Sequence, residues 1–205
     1  MKIAILGAAG RMGQNLLRCA GKIDGCQVIA AVERSDHPAI GASVKEISGI
    51  RSDNLPSTLC YTDNWPEDAD AIIDFTFHTC VKENIANAVA NSQAYVLGTT
   101  GLSDDEKLAV FSAAEQIPIV WAPNMSLGVN LLIELVRRTA AVLGPDYDVE
   151  ITELHHRLKA DAPSGTALGL AEAVAQGRNV SLGDVACYGR KGITGERPKG
   201  QIALH

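Results

Sequence analysis

The sequence predicts an α/β protein: a doubly wound parallel sheet over residues 1–125, then a smaller α+β domain over residues 126–205. Three observations carry this expectation. From residue 2 to about 121, short apolar runs alternate with helix-like stretches of about 12 residues, the order of a parallel sheet covered by helices. A glycine-spaced loop follows the first apolar run and opens the first helical stretch. Past Asn124 the texture changes to longer helical stretches and a strand that alternates β-formers with acids.

In order, strands are expected at residues 2–6, 27–32, 71–75, 94–97 and 117–121. Residues 11–20, 81–90 and 103–115 repeat apolar side chains at helical spacing, and Ser103 with Glu106 fits a capping box. Residues 35–59 hold Pro38, Gly41, Gly49 and Pro56 among polar residues and read as a mobile surface loop with at most a short helix. In the second part, helices are expected at 126–143 and 164–175 and a strand at 147–154. The segment Gln201-Ile202-Ala203-Leu204-His205 reads as a strand just beginning, with no partner left for it and an exposed edge near Ile202.

Composition sets the outer bounds. With 205 residues, 46% hydrophobic and 20% charged, the chain has apolar material for one large domain or two small ones, which excludes a disordered or collagen-like chain. A net charge of −6 argues against a general nucleic-acid or anionic-membrane surface, so an anionic ligand must meet locally placed donors. The first apolar run is too short for a signal-peptide core and no stretch approaches the roughly 18 apolar residues of a membrane span, so the expected compartment is the cytoplasm. Five scattered cysteines without a C-x-x-C pair signal neither a disulfide framework nor zinc and read as reduced, mostly packing residues.

Gly7-Ala8-Ala9-Gly10-Arg11-Met12-Gly13 lies where a strand turns into a helix, so a phosphate there meets backbone N–H groups and the positive helix end. Its spacing is G-x-x-G-x-x-G rather than G-x-G-x-x-G, and a plain strand-to-helix turn is the alternative. Glu33 and Arg34 end the second strand about 20 residues on, where dinucleotide folds read the adenosine ribose. An acid there accepts from ribose hydroxyls and an arginine pairs with a 2′-phosphate, which leaves NADH and NADPH both open. Gly98-Thr99-Thr100-Gly101 and Ala122-Pro123-Asn124-Met125 follow later strands at their carboxyl ends, where either could hold a nicotinamide or make an ordinary turn. The densest chemistry is Glu153-Leu154-His155-His156-Arg157-Leu158-Lys159-Ala160-Asp161-Ala162-Pro163-Ser164-Gly165-Thr166: a cationic cluster running into a helix start, suited to an anion that must also be protonated. A metal is disfavoured because adjacent side chains on an extended chain point apart and no H-x-x-x-H is present.

Together these motifs resemble the 4-hydroxy-tetrahydrodipicolinate reductases, also called dihydrodipicolinate reductases. The stretch from Glu153 to Ala167 matches the family signature E-x-H-H-x-x-K-x-D-A-P-S-G-T-A. The glycine loop, Asp74-Phe75-Thr76, Gly98-Thr99-Thr100-Gly101, Ala122-Pro123-Asn124-Met125-Ser126-Leu127-Gly128-Val129-Asn130 and Thr194-Gly195-Glu196-Arg197 match as well, while Phe77-His78 departs from many members. The resemblance implies a Rossmann-like first domain and NAD(P)H-dependent reduction of a cyclic imine dicarboxylate in the diaminopimelate route to lysine. It implies His155 as proton donor and acceptor, Lys159 as second proton donor, His156 as a substrate contact, and Gly165 with Thr166 as holders of a substrate carboxylate. For the cofactor it implies Gly7, Ala8, Ala9, Gly10, Arg11, Met12, Glu33, Arg34, Gly98, Thr99, Thr100, Ala122, Pro123, Asn124 and Met125. A homotetramer is implied too, and because members run on beyond this length, the second domain is expected to be incomplete at its carboxyl end. The competing expectations are a dinucleotide-binding protein without turnover, or another two-domain dehydrogenase.

Overall fold

The computed structural model describes residues 1–50, 55–157, 159 and 162–205. Residues 51–54 of the expected loop and Leu158, Ala160 and Asp161 of the signature stretch lie outside the described residues. The chain divides into two compact units, Met1–Ala122 and Pro123–His205.

The first unit is a parallel sheet. Its strands are β1 (Lys2–Leu6), β2 (Gln27–Val32), β3 (Tyr61–Thr62), β4 (Ala71–Asp74), β5 (Ala94–Leu97) and β6 (Ile119–Trp121), in the order β3-β2-β1-β4-β5-β6. Every pairing is parallel. Alternation along β1 explains the double winding: Ile3 and Ile5 pack on one face with Leu17 and Val28, while Ala4 and Leu6 pack on the other with Ile72, Ile85 and Val110. Helix α1 (Arg11–Ala20) supplies Leu17 to the first face; α3 (Val81–Ala90) and α4 (Asp104–Ala114) supply Ile85 and Val110 to the second. The capping box of α4 is present: Ser103 Oγ accepts from Glu106 N–H at 3.3 Å and Glu106 Oε2 accepts from Ser103 N–H at 2.7 Å. His78 adds to it, with Nδ1 3.0 Å from Glu106 Oε1, so one residue of the Phe77-His78 departure serves the capping of α4.

The described part of residues 35–59 is not a mobile surface loop. Ala39, Val44, Ile50, Leu55 and Leu59 are buried beside Tyr61, a short helix α2 (Val44–Ser48) forms, and Ser43 bridges Cys60. Its glycines and prolines punctuate a segment that still buries apolar side chains at wide intervals. The cysteines are not mostly packing residues: Cys26 packs against the first-unit core and Cys187 is half-buried, but Cys19, Cys60 and Cys80 are exposed.

The second unit packs helices α5 (Leu127–Leu143) and α6 (Gly165–Gly177) together, with a short α7 (Leu182–Val185). The core is small: Ala140, Ala167, Ala171, Val174 and Ala175 meet Ile202 and Leu204. A Cβ on Gly177 would stand 2.3 Å from the Arg137 carbonyl oxygen, so α6 approaches α5 backbone to backbone there. The sheet is β7 (Val149–Ile151), β9 (Ile202–Leu204) and β8 (Ala186–Tyr188) in the order β7-β9-β8. This corrects the expectation of a partnerless, exposed strand: β9 is central, parallel to β7 and β8, and Ile202 is fully buried. Arg178 ties down the approach to β9 by donating to the carbonyls of Tyr147 at 2.5 Å and Gly200 at 3.4 Å.

Candidate functional site

In the first unit, the expected cofactor residues follow the carboxyl ends of β1, β2, β5 and β6, in a sheet whose strand order reverses between β1 and β4. After β1 the chain turns at Gly7, whose φ of +68° suits glycine. Gly10 N–H returns to Gly7 O at 3.1 Å and Gln14 N–H to Gly10 O at 2.9 Å, so the turn runs straight into α1. A Cβ on Gly13 would lie 2.2 Å from Gly7 O and 2.5 Å from Ala8 Cα, so only glycine lets the helix sit this close. Gly10 offers no side-chain cap to the first turn of α1, where Arg11 and Met12 are exposed.

Glu33, just past β2, is brought onto this loop: its Oε1 accepts the Ala9 N–H at 2.8 Å, while Ala8 N–H donates to Val32 O at 3.1 Å. Arg34 points to solvent and pairs with Asp36 at 3.0 Å. Below, Asp74 is fully buried at the end of β4. Its Oδ1 accepts the Thr76 N–H at 2.7 Å and hydroxyl at 2.6 Å; its Oδ2 accepts Asn84 Nδ2 at 2.9 Å and the Tyr95 hydroxyl. Burial, and then the Asp74 charge, push the Tyr95 hydroxyl far above its ordinary pKa, so it remains a donor. Thr99 Oγ1 donates to Thr76 O at 3.2 Å, and a Cβ on Gly98 would strike the Phe75 ring at 2.1 Å. The segments 74–76 and 98–99 thus interlock, with Thr100 exposed beside them.

Ala122 closes the first unit, its N–H on Leu97 O at 3.3 Å. Pro123, Asn124 and Met125 open the second. Asn124 is tied to the start of α6, 42 residues away in sequence: its Nδ2 donates to Thr166 Oγ1 at 3.1 Å, while its Oδ1 accepts from Ser126 N–H at 2.8 Å.

The signature stretch begins where β7 ends. Glu153 N–H on His205 O at 3.0 Å and His205 N–H on Ile151 O at 2.9 Å prolong the ladder between β7 and β9 as far as Glu153. The Glu153 Oε1 accepts the Ser164 N–H at 2.7 Å, and Ser164 Oγ accepts Ala167 N–H at 3.1 Å as the N-cap of α6. Hydrogen bonds from Ser164 hold the Glu153 carboxyl below its ordinary pKa, and the charges of His155 and Lys159 add to the effect. His155 Nδ1 stands 3.6 Å from Glu153 Oε2. His155, His156 and Arg157 are exposed, Lys159 is half-buried, and a turn is closed by Lys159 N–H on His156 O at 3.1 Å. One carboxylate therefore joins the His155 ring to a helix start whose Gly165 and Thr166 amides lie in the first turn. Among the described residues, no group of three or more His, Cys, Asp or Glu is placed to hold a metal ion, and no helix is long and apolar enough to cross a membrane.

The family model described as dihydrodipicolinate reductase, N-terminus, matches residues 1–125, and that for the C-terminus matches residues 128–205. The chain belongs to the dihydrodipicolinate reductase family. The 4-hydroxy-tetrahydrodipicolinate reductase of Hahella chejuensis is 45% identical over 205 residues, covering 99% of this chain and 76% of the relative. That of Magnetococcus marinus is 42% identical over 203 residues, covering 96% and 73%. Among solved structures, the dipicolinate-bound dihydrodipicolinate reductase of Paenisporosarcina sp. TG-14 superposes with a TM-score of 0.68 at 26% identity, covering all of this chain and 77% of that one. For a dihydrodipicolinate reductase, a Rossmann-like first unit implies a nicotinamide cofactor, and the glycine cradle with its uncapped helix start fits the pyrophosphate of such a group.

Two residues gained a place that sequence reasoning had not assigned. Asp74 was visible only as part of a motif; its four donors come from three separate elements. Glu153 was likewise quoted without a role, although residues 153 and 155 on an extended chain share a side, which is the signal that pairs it with His155.

Proposed function

We propose that this dihydrodipicolinate reductase chain reduces 4-hydroxy-tetrahydrodipicolinate to tetrahydrodipicolinate, with loss of water, in the diaminopimelate route to lysine. The observation that carries this reading is the second-unit cluster, where Glu153 connects His155 and Lys159 to the start of α6. A dicarboxylate substrate suits that cluster, and the Paenisporosarcina relative, bound to dipicolinate, supports a ligand of that class.

The bound nicotinamide supplies the hydride. The chain's own residues do the rest. Gly7, Ala8, Ala9, Gly10, Arg11 and Met12 receive the pyrophosphate at the start of α1. Glu33 accepts from the ribose hydroxyls, and the exposed Arg34, which pairs with Asp36, turns to a 2′-phosphate, so the pair suits NADPH or NADH. Gly98, Thr99, Thr100, Ala122, Pro123, Asn124 and Met125 border the nicotinamide end. His156 and the amides of Gly165 and Thr166 hold substrate carboxylates. His155 donates the proton that the reduced, conjugated imine requires, and Lys159 is the second donor.

His155→Ala tests this assignment. Turnover is expected to fall about 10²- to 10⁴-fold with cofactor affinity unchanged. Loss of NADPH binding in a fluorescence titration, or full turnover, would sink it.

A further inference from the structure

Resting on the reading of His155 as proton donor, we infer that Glu153 is a positioning residue for the reaction: its carboxylate fixes the ring orientation and tautomer of His155 by taking up Nδ1, which leaves Nε2 for the substrate. The two oxygens of Glu153 have different surroundings. Oε1 accepts the Ser164 N–H at 2.7 Å and so belongs to the entry of α6. Oε2 is buried and, among the described residues, accepts no hydrogen bond, yet His155 Nδ1 lies 3.6 Å from it. A buried carboxylate oxygen without a donor is costly, so the imidazole N–H is the group this arrangement favours. At 3.6 Å the pair is within ion-pair reach and longer than a hydrogen bond, the usual state of catalytic hydrogen bonds before ligand tightens them.

The anchoring makes the carboxylate a fixed reference rather than a surface charge. Its own backbone N–H is held by His205 O on the β9 side and its Oε1 by the start of α6, so His155 is oriented against two elements at once. The charges that act on the carboxylate are those of His155 and Lys159, and Ser164 at the start of α6 is neutral. The Glu153 carboxylate, beside His155 Nδ1, accepts an N–H without being able to donate one.

The test is Glu153→Gln, which keeps the shape and one carbonyl oxygen but turns the other oxygen into a donor. With the full chain, kcat is expected to fall about tenfold or more while the KM for NADPH and for substrate stays within twofold, the pattern of a lost orienting group. In the His155→Ala background, adding Glu153→Gln is expected to change kcat less than twofold, because its effect passes through the imidazole. Nitrogen NMR of wild-type protein, at a pH where the ring is neutral, is expected to show the proton of His155 on Nδ1; this reading does not depend on any variant folding. A proton mainly on Nε2, or the same loss from Glu153→Gln with and without His155, would overturn the inference and leave Glu153 as a clamp on Ser164 only. Full turnover in His155→Ala would instead overturn the underlying assignment of the proton donor.

Discussion

At the scale of single residues, burial decides which side chains the site can least afford to lose. Asp74 places a carboxyl group where solvent does not reach and satisfies it with donors from Thr76, Asn84 and Tyr95. Asp74→Asn turns one acceptor into a donor facing other donors, at a cost of about 2–4 kcal/mol. For a chain of this length that corresponds to a fall in melting temperature of roughly 5–15 °C. Calorimetry on the purified variant checks it, and an unchanged midpoint would mean the network is dispensable. The contrast with Arg34 is instructive: its pair with Asp36 is solvent-exposed, so little stability rests on it and it is available to a ligand.

At the scale of elements, the parts legible in the sequence were those whose signal is local. Five strands of the first unit and helices α1, α3, α4, α5 and α6 follow from apolar periodicity, and the start of α4 from Ser103 and Glu106. Ser103→Ala removes the acceptor of the Glu106 N–H and is expected to cost about 1 kcal/mol, seen as a shift of a few degrees in the melting midpoint. A shift near zero would show that Glu106 and His78 hold that end without the hydroxyl. What escaped notice was short or long-range. β3 spans two residues and β8 three, too few for a period, and residues 35–59 bury their apolar side chains at irregular intervals. The pairing of β9 between β7 and β8 is decided by contacts about 15 and 50 residues away, which no local pattern encodes. The site divides in the same way. The cluster from His155 to Thr166 was legible because it is contiguous, whereas the contacts of Asn124 with Thr166 and of Glu33 with Ala9 exist only in the fold.

At the scale of the whole molecule, the proposed cofactor contacts lie mainly in residues 1–122 and the proposed proton donors in residues 123–205. A change inside the small sheet should therefore separate the two activities. Ala203→Pro deletes a ladder N–H from the central strand that supports the segment leading to His155. Turnover is expected to disappear while NADPH still binds; loss of both together would contradict the division of labour. The most direct test of the central claim is the decrease in NADPH absorbance when the purified 205-residue chain meets freshly generated 4-hydroxy-tetrahydrodipicolinate, repeated with NADH. Oxidation of the cofactor that depends on this substrate is the predicted result, and binding of the cofactor with no substrate-dependent oxidation would contradict the account.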